Sequence, residues 1–258
     1  MLMSRADRVR LVLVPWTQAL VLQWRPELRF YEVRYKILRR LEDAGVLRAF
    51  RVANDSIDAR TTQGYQLSVQ QHRASLVVPS PTADAEGAWS MLATAFNEIQ
   101  PSRVRSVEVL LQHLLPLQLG FEEAVAAGQE RLLALPAAGE LIHGDWAVLV
   151  DGQIEGEEVS IQTEFGIVRA EEVPARLARS VGRIRGPQGA PAGPVDPSLI
   201  SPVSLFADSA WERSLDGSED PLGDTRKFWT TSLARAGRLV QGLHHRLIAA
   251  DTTGGDQD

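Results

Sequence analysis

Residues 84–115 read DAEGAWSMLATAFNEIQPSRVRSVEVLLQHLL, and the change of period inside them decides the fold class. Ala85, Ala88, Trp89, Leu92, Phe96 and Ile99 recur at helical spacing and form one apolar stripe. Pro101 ends that helix, because proline cannot continue the backbone ladder. Directly beyond it, Arg103–Leu115 carries Val104, Val107, Val109 and Leu111 in an extended pattern. A one-sided helix running into a long strand predicts helices layered on a sheet.

Upstream, Gly64–Val69 and Ala74–Val78 alternate as the two arms of a hairpin, and Leu47–Ala53 reads as extended. Phe30, Val33, Ile37, Leu41 and Ala44 stripe another helix. Its other side carries Arg29, Glu32, Lys36, Arg39 and Asp43, and Gly45 is a natural stop. Residues 18–25 read as a first strand, with Arg10–Val14 as its upstream extension. Strand, helix, two or three strands, helix, strand is the order of a ferredoxin-like layer. The fold class expected is therefore α+β, with antiparallel sheets and helices packed on one face. Residues 1–118 form the ferredoxin-like half.

Residues 119–258 read as a second α+β half. It begins with a helix over Phe121–Leu135, striped by Phe121, Val125, Gly128 and Leu132. Strands Trp146–Val150 and Val159–Val168 follow, joined through Asp151-Gly152. The span 182–202 is rich in glycine and proline and predicts a mobile, protease-sensitive loop. Val203–Trp211 is a strand and Ser214–Gly223 a polar loop. The last helix is expected to be N-capped by Asp224 and striped by Phe228, Leu233, Ala236, Val240, Leu243 and Leu247. The small polar tail Thr252–Asp258 is expected to fray.

Composition narrows the function classes. The 258 residues include no cysteine, which removes thiol nucleophiles, thiolate metal sites and a disulfide scaffold. With 44% hydrophobic and 23% charged residues, the chain is an ordinary globular one. No apolar run reaches the length of a membrane span. The basic and apolar N-terminus is interrupted by Pro15 and has no small-residue cleavage site, so it reads as mature sequence. A cytoplasmic protein without a membrane partner is expected. The net charge of −6 argues against a general nucleic-acid binder.

The common phosphate-binding, zinc-protease and nucleophile-elbow words are missing. His143 and Asp145 lie two apart on an extended segment, a spacing suited to proton transfer or a metal, although a turn before Trp146 is the simpler reading. His244 and His245 are adjacent, whereas helical metal pairs sit three or four apart. Asp151, Glu155, Glu157 and Glu158 lack the spacing of a calcium loop and read as a solvated hairpin end. No cofactor and no metal is expected.

Residues 25–51 hold eight basic side chains against four acidic ones, a local excess opposite in sign to the whole chain. A solvated helix face competes with a docking surface there. Trp16 and Trp24 flank the first strand, a candidate edge. Tryptophan and arginine are the commonest interface anchors. Trp24, Arg25, Arg39 and Arg40 are accordingly the candidate partner-binding residues, toward a protein partner or a second copy.

Leu20-Val21-Leu22-Gln23-Trp24-Arg25-Pro26 and Leu38-Arg39-Arg40-Leu41, with Ala85–Ile99, Arg103–Leu115, Asp208 and Leu243-His244, give the chain a resemblance. It resembles a sporadically distributed bacterial family of unknown function, by element order and short words over most of its length. The resemblance implies no activity, catalytic residue or cofactor, and the patchy distribution suggests mobile-element or defence loci. The function expected is a non-enzymatic interaction or accessory protein that binds a macromolecular partner. The alternative is an enzyme or sensor with a small-molecule pocket between the two halves.

Overall fold

In TQALVLQW, Leu20, Leu22 and Trp24 point to one side of a strand and Ala19 and Val21 to the other, and all five are buried. A strand apolar on both faces belongs in the middle of a sheet. The computed structural model describes residues 15–79, 85–133, 147–177 and 200–248. In it this strand, β1 (Thr17–Trp24), is followed by α1 (Arg29–Asp43), β2 (Leu47–Val52), β3 (Ser56–Thr61), β4 (Gln66–Gln70) and β5 (Arg73–Pro79). Next come α2 (Ala85–Ile99), β6 (Val104–Pro116), α3 (Phe121–Arg131), β7 (Ala147–Gln153) and β8 (Val159–Arg169). A short helical stretch at 173–177, α4, precedes β9 (Val203–Ser214) and α5 (Pro221–Ile248).

The nine strands form one sheet in the order β2-β3-β4-β5-β1-β6-β9-β8-β7, with every pair antiparallel. The segment β4-β5-β1-β6, with α1 and α2 on one face, has the ferredoxin-like order, and the hairpin β2-β3 widens it. Residues 1–118 and 119–258 share this sheet, since β6 pairs with β9 from Ser106 to Pro116. The expected fold class is what the chain adopts.

One face carries the main core. Leu20, Leu67, Leu76, Val109 and Trp211 of the sheet meet Phe30 and Ile37 of α1, Leu92 of α2 and Phe228 of α5. A second cluster on the same face packs Leu115, Ile167 and Leu205 under α3 and α5. On the opposite face, Val173 and Leu177 of α4 pack with Val168 and Phe206. The N-cap of α1, Leu28, supplies no side-chain cap. Its absence costs about 1 kcal/mol. Burying Phe30, Ile37 and Leu41 at roughly 1.5–3 kcal/mol each outweighs that. The helix ends as expected at Gly45, whose φ of 68° is open to glycine. Its N–H donates to Glu42 O at 2.8 Å and that of Val46 to Leu41 O at 3.3 Å, a Schellman closure.

Four expectations are corrected. β1 is not an edge: it pairs with β5 on one side and β6 on the other. Asp151 and Gly152 lie inside β7, opposite Gln162 and Ile161, and the hairpin turns at 154–158 instead. The acidic residues 155, 157 and 158 therefore do cap a hairpin. α5 is capped by Asp220, whose Oδ1 accepts the Gly223 N–H at 3.0 Å, so Asp224 already lies within the helix. β3 is a strand that the pattern of small and polar residues in SIDART concealed. Residues 10–14, His143, Asp145, Trp146, positions 182–199 of the glycine- and proline-rich span and the tail 252–258 lie outside the described residues.

Candidate partner-binding surface at the first helix and second strand

Of the four candidate residues, Trp24 faces inward. It is 2% exposed, stands edge-on to Phe96 at 6.4 Å, and its indole N–H donates to Gln71 O at 3.0 Å. Arg25 lies just past β1, its backbone N–H donating to Arg103 O at 3.1 Å, and its side chain is exposed. Arg39 and Arg40 are both exposed on α1.

Arg40 is nevertheless engaged. It and Lys36 converge on Glu98 of α2, with Lys36 Nζ 2.8 Å from Glu98 Oε2. The hydrogen bond from Lys36, with the positive charges of Arg40, Lys36 and Arg29, holds the Glu98 carboxyl below its ordinary 4.5 against the opposing effect of desolvation. Arg29 donates to Gln100 Oε1 at 2.6 Å. Glu27 accepts both the N–H and the hydroxyl of Ser102, at 2.7 and 2.6 Å. The eight cations between 25 and 51 thus divide. Among the described residues, Arg25, Arg39, Arg48 and Arg51 have neither an ion pair nor a side-chain hydrogen bond.

The aromatic part of the surface comes from residues the sequence reading did not single out. Leu28, Tyr31, Tyr35 and Arg39, at i, i+3, i+7 and i+11, line the side of α1 opposite its buried stripe. Leu28 is 77% exposed and Tyr35 59%. Arg34 braces them: its guanidinium stands 5.9 Å from the Tyr31 ring and 5.1 Å from the Tyr35 ring. The same group donates to Ala53 O and Asn54 O, each at 3.3 Å, and so ties α1 to the turn after β2. Phe50 of β2 stands opposite Ala59, whose side chain is core, so it lies on the helix-bearing side of the sheet and is 59% exposed. The spacing of Leu28, Tyr31 and Tyr35 was available as a second stripe on one helix. Phe50 carried no such signal.

Two other features bear on chemistry. His113 of β6 is fully buried, and burial pushes its pKa down to about 4, so it is neutral near pH 7. Neither of its ring nitrogens has a hydrogen-bond partner among the described residues, and the same holds for Thr163 Oγ1 and Ser232 Oγ. On the sheet face away from α1, an open depression of about 710 Å³ lies over β6, β9, β8 and β7 and is lined by Glu108, Asp151 and Glu212. Among the described residues, no three His, Asp or Glu side chains are grouped to hold a metal ion, and no helix is long and apolar enough to cross a membrane. His244 is bound by one ring nitrogen to Pro116 O at 3.2 Å.

No family model matches the chain, and no curated protein does.

Proposed function

We propose that this protein is a cytoplasmic binding module that docks a protein partner on the corner formed by α1 and β2, without catalysing a reaction. The observation that carries the reading is the stripe of Leu28, Tyr31 and Tyr35 on the outer side of a helix whose inner side is already packed. A helix needs one apolar face to join its own core. A second one, exposed and braced by Arg34, has no role in that core and marks an interaction site. Tyrosine and arginine make effective anchors, because they bury large area and keep a polar tip. Arg25 and Arg39 belong to this proposed surface; Arg40 is held by Glu98, and Trp24 belongs to the core.

By the resemblance noted in the sequence, the partner is encoded near mobile-element or defence genes, and neighbouring genes give its first candidates. The test uses an extract of the source cell, with wild-type protein and the double variant Leu28→Asp, Tyr35→Asp as bait. Partners identified by mass spectrometry should be retained by wild type and lost by the variant, while both give the same circular dichroism. Equal retention by both proteins sinks the reading.

A further inference from the structure

The edge of a sheet leaves alternate backbone N–H and C=O groups without a strand to bond. β2 is such an edge, and it lies inside the proposed docking corner. Among the described residues its ladder runs only to β3, and the flanking bonds from Thr62 N–H to Val46 O and from Ala53 N–H to Ser56 O also turn inward. The register is irregular between Leu47 and Ala49 and regular from Ala49 to Val52. An incoming strand therefore finds a straight stretch of about four residues, enough for a short pairing.

The side chains along that stretch differ on the two faces. Phe50 stands on the helix side, half-open to solvent. Arg51 stands on the other side, opposite Asp58, and Ala49 opposite Arg60. Arg48 is exposed beside them. Neither Arg48 nor Arg51 is used by the fold among the described residues, unlike Lys36, Arg40, Arg29 and Arg34. The far edge, β7, has the opposite character: exposed Leu149 and Val150 followed by Asp151, with no cation. A cationic edge in a chain of net charge −6 selects a segment rich in carboxylates.

Resting on the docking reading given before, we propose that β2 takes up an acidic, extended segment of the partner protein as a tenth strand. Main-chain hydrogen bonds supply the affinity, Phe50 receives an apolar side chain, and Arg48 and Arg51 receive carboxylates.

The probe is a fluorescein-labelled peptide of alternating Glu and Val, about twelve residues long, titrated by anisotropy. Two comparison peptides are used: the same sequence N-methylated at alternate positions on its pairing edge, and an alternating Lys–Val peptide. The Glu–Val peptide should bind, its affinity should fall with salt, and N-methylation should weaken it about tenfold or more, as lost main-chain bonds require. Arg48→Glu with Arg51→Glu should weaken it at least as much, and Leu28→Asp with Tyr35→Asp by less than about threefold, since carboxylate pairing dominates this contact. Phe50→Ser is the second β2 variant, should the charge reversal disturb folding.

Unchanged binding after N-methylation, or equal binding of the Lys–Val peptide, overturns strand addition. So does the absence of binding by the Glu–Val peptide. Loss of binding on the Leu28 and Tyr35 changes alone places the partner along α1; strand addition then fails while the docking reading stands. Self-association of the free protein that Arg51→Glu or Leu149→Glu abolishes makes a second copy the occupant and also overturns it. Failure of the corner itself appears separately, as equal capture by wild type and the α1 variant.

Discussion

Lys36 on the exposed side of α1 and Glu98 on the buried side of α2 meet at 2.8 Å, and the Glu98 side chain is only 7% exposed. This ion pair, shared with Arg40, limits the free positive charge on α1. It withdraws two cations from a group of eight and leaves Arg25, Arg39, Arg48 and Arg51 unengaged among the described residues.

Replacing Glu98 by Gln should release both cations. Because Lys36 and Arg40 are more than half exposed, the loss of stability at pH 7 should be small, about 1 kcal/mol. Glu98 titrates below its ordinary 4.5 in the folded chain, so its contribution is present above that value and disappears as pH falls through the lowered one. Urea unfolding across a pH series should therefore separate wild type from Glu98→Gln most at pH 7, with the gap narrowing as the pH falls below 4.5. The variant should also bind the acidic Glu–Val peptide more tightly than wild type, by roughly two- to fivefold for two added surface charges.

His113 makes a pH prediction of the same sign in a higher window. Its folded pKa of about 4 lies under the ordinary 6.5, so between these values the unfolded chain binds a proton that the folded chain refuses. Stability should be full above pH 6.5 and fall as the pH drops toward 4, by an amount on the order of 3 kcal/mol at most. Below that the penalty levels off. His113→Leu removes the titrating group, so the difference between its urea midpoint and that of wild type should grow steadily from pH 7 to pH 4. A constant difference across that range contradicts the assignment.

Trp24→Ala should behave as a core deletion. The indole packs against Phe96 and caps Gln71 O, and large aromatic-to-alanine changes in cores cost about 3–5 kcal/mol. Thermal unfolding should report that loss. Any effect on partner binding should vanish when it is measured at a temperature where the variant is fully folded.

Leu28→Asp and Tyr35→Asp should do the reverse. Both positions are exposed, so folding stability should change by no more than about 0.5 kcal/mol for each. Association with the captured partner should weaken by about tenfold or more, which corresponds to roughly 1.4 kcal/mol of binding. Isothermal calorimetry with the partner identified from the source cell measures this directly.

Local patterns carried much of the architecture. The stripe from Phe30 to Leu41 and the one from Ala88 to Ile99 specified α1 and α2, and Gly45 specified where α1 stops. These are properties of a few consecutive turns, where every apolar residue must reach the same side to be buried. TQALVLQW is apolar on both faces, as a central strand is, although the flanking tryptophans suggest an edge. Trp16 and Trp24 flank the ends of the strand and carry no information about which strands lie beside it.

Legible in the letters, then, were most of the helices and strands, though not β3, together with the antiparallel α+β class and the common face of α1 and α2. Tertiary structure decided the order of strands, and with it that β1 is central and β2 is the edge. It decided that Trp24 is core and that Arg40 is spoken for by Glu98, while Arg39, one position earlier, is not. The physical reason is range. A helical stripe is fixed by residues three and four apart, whereas strand order and ion pairing depend on which distant segments bury the most apolar surface together, and that sum exists only once the whole sheet has formed.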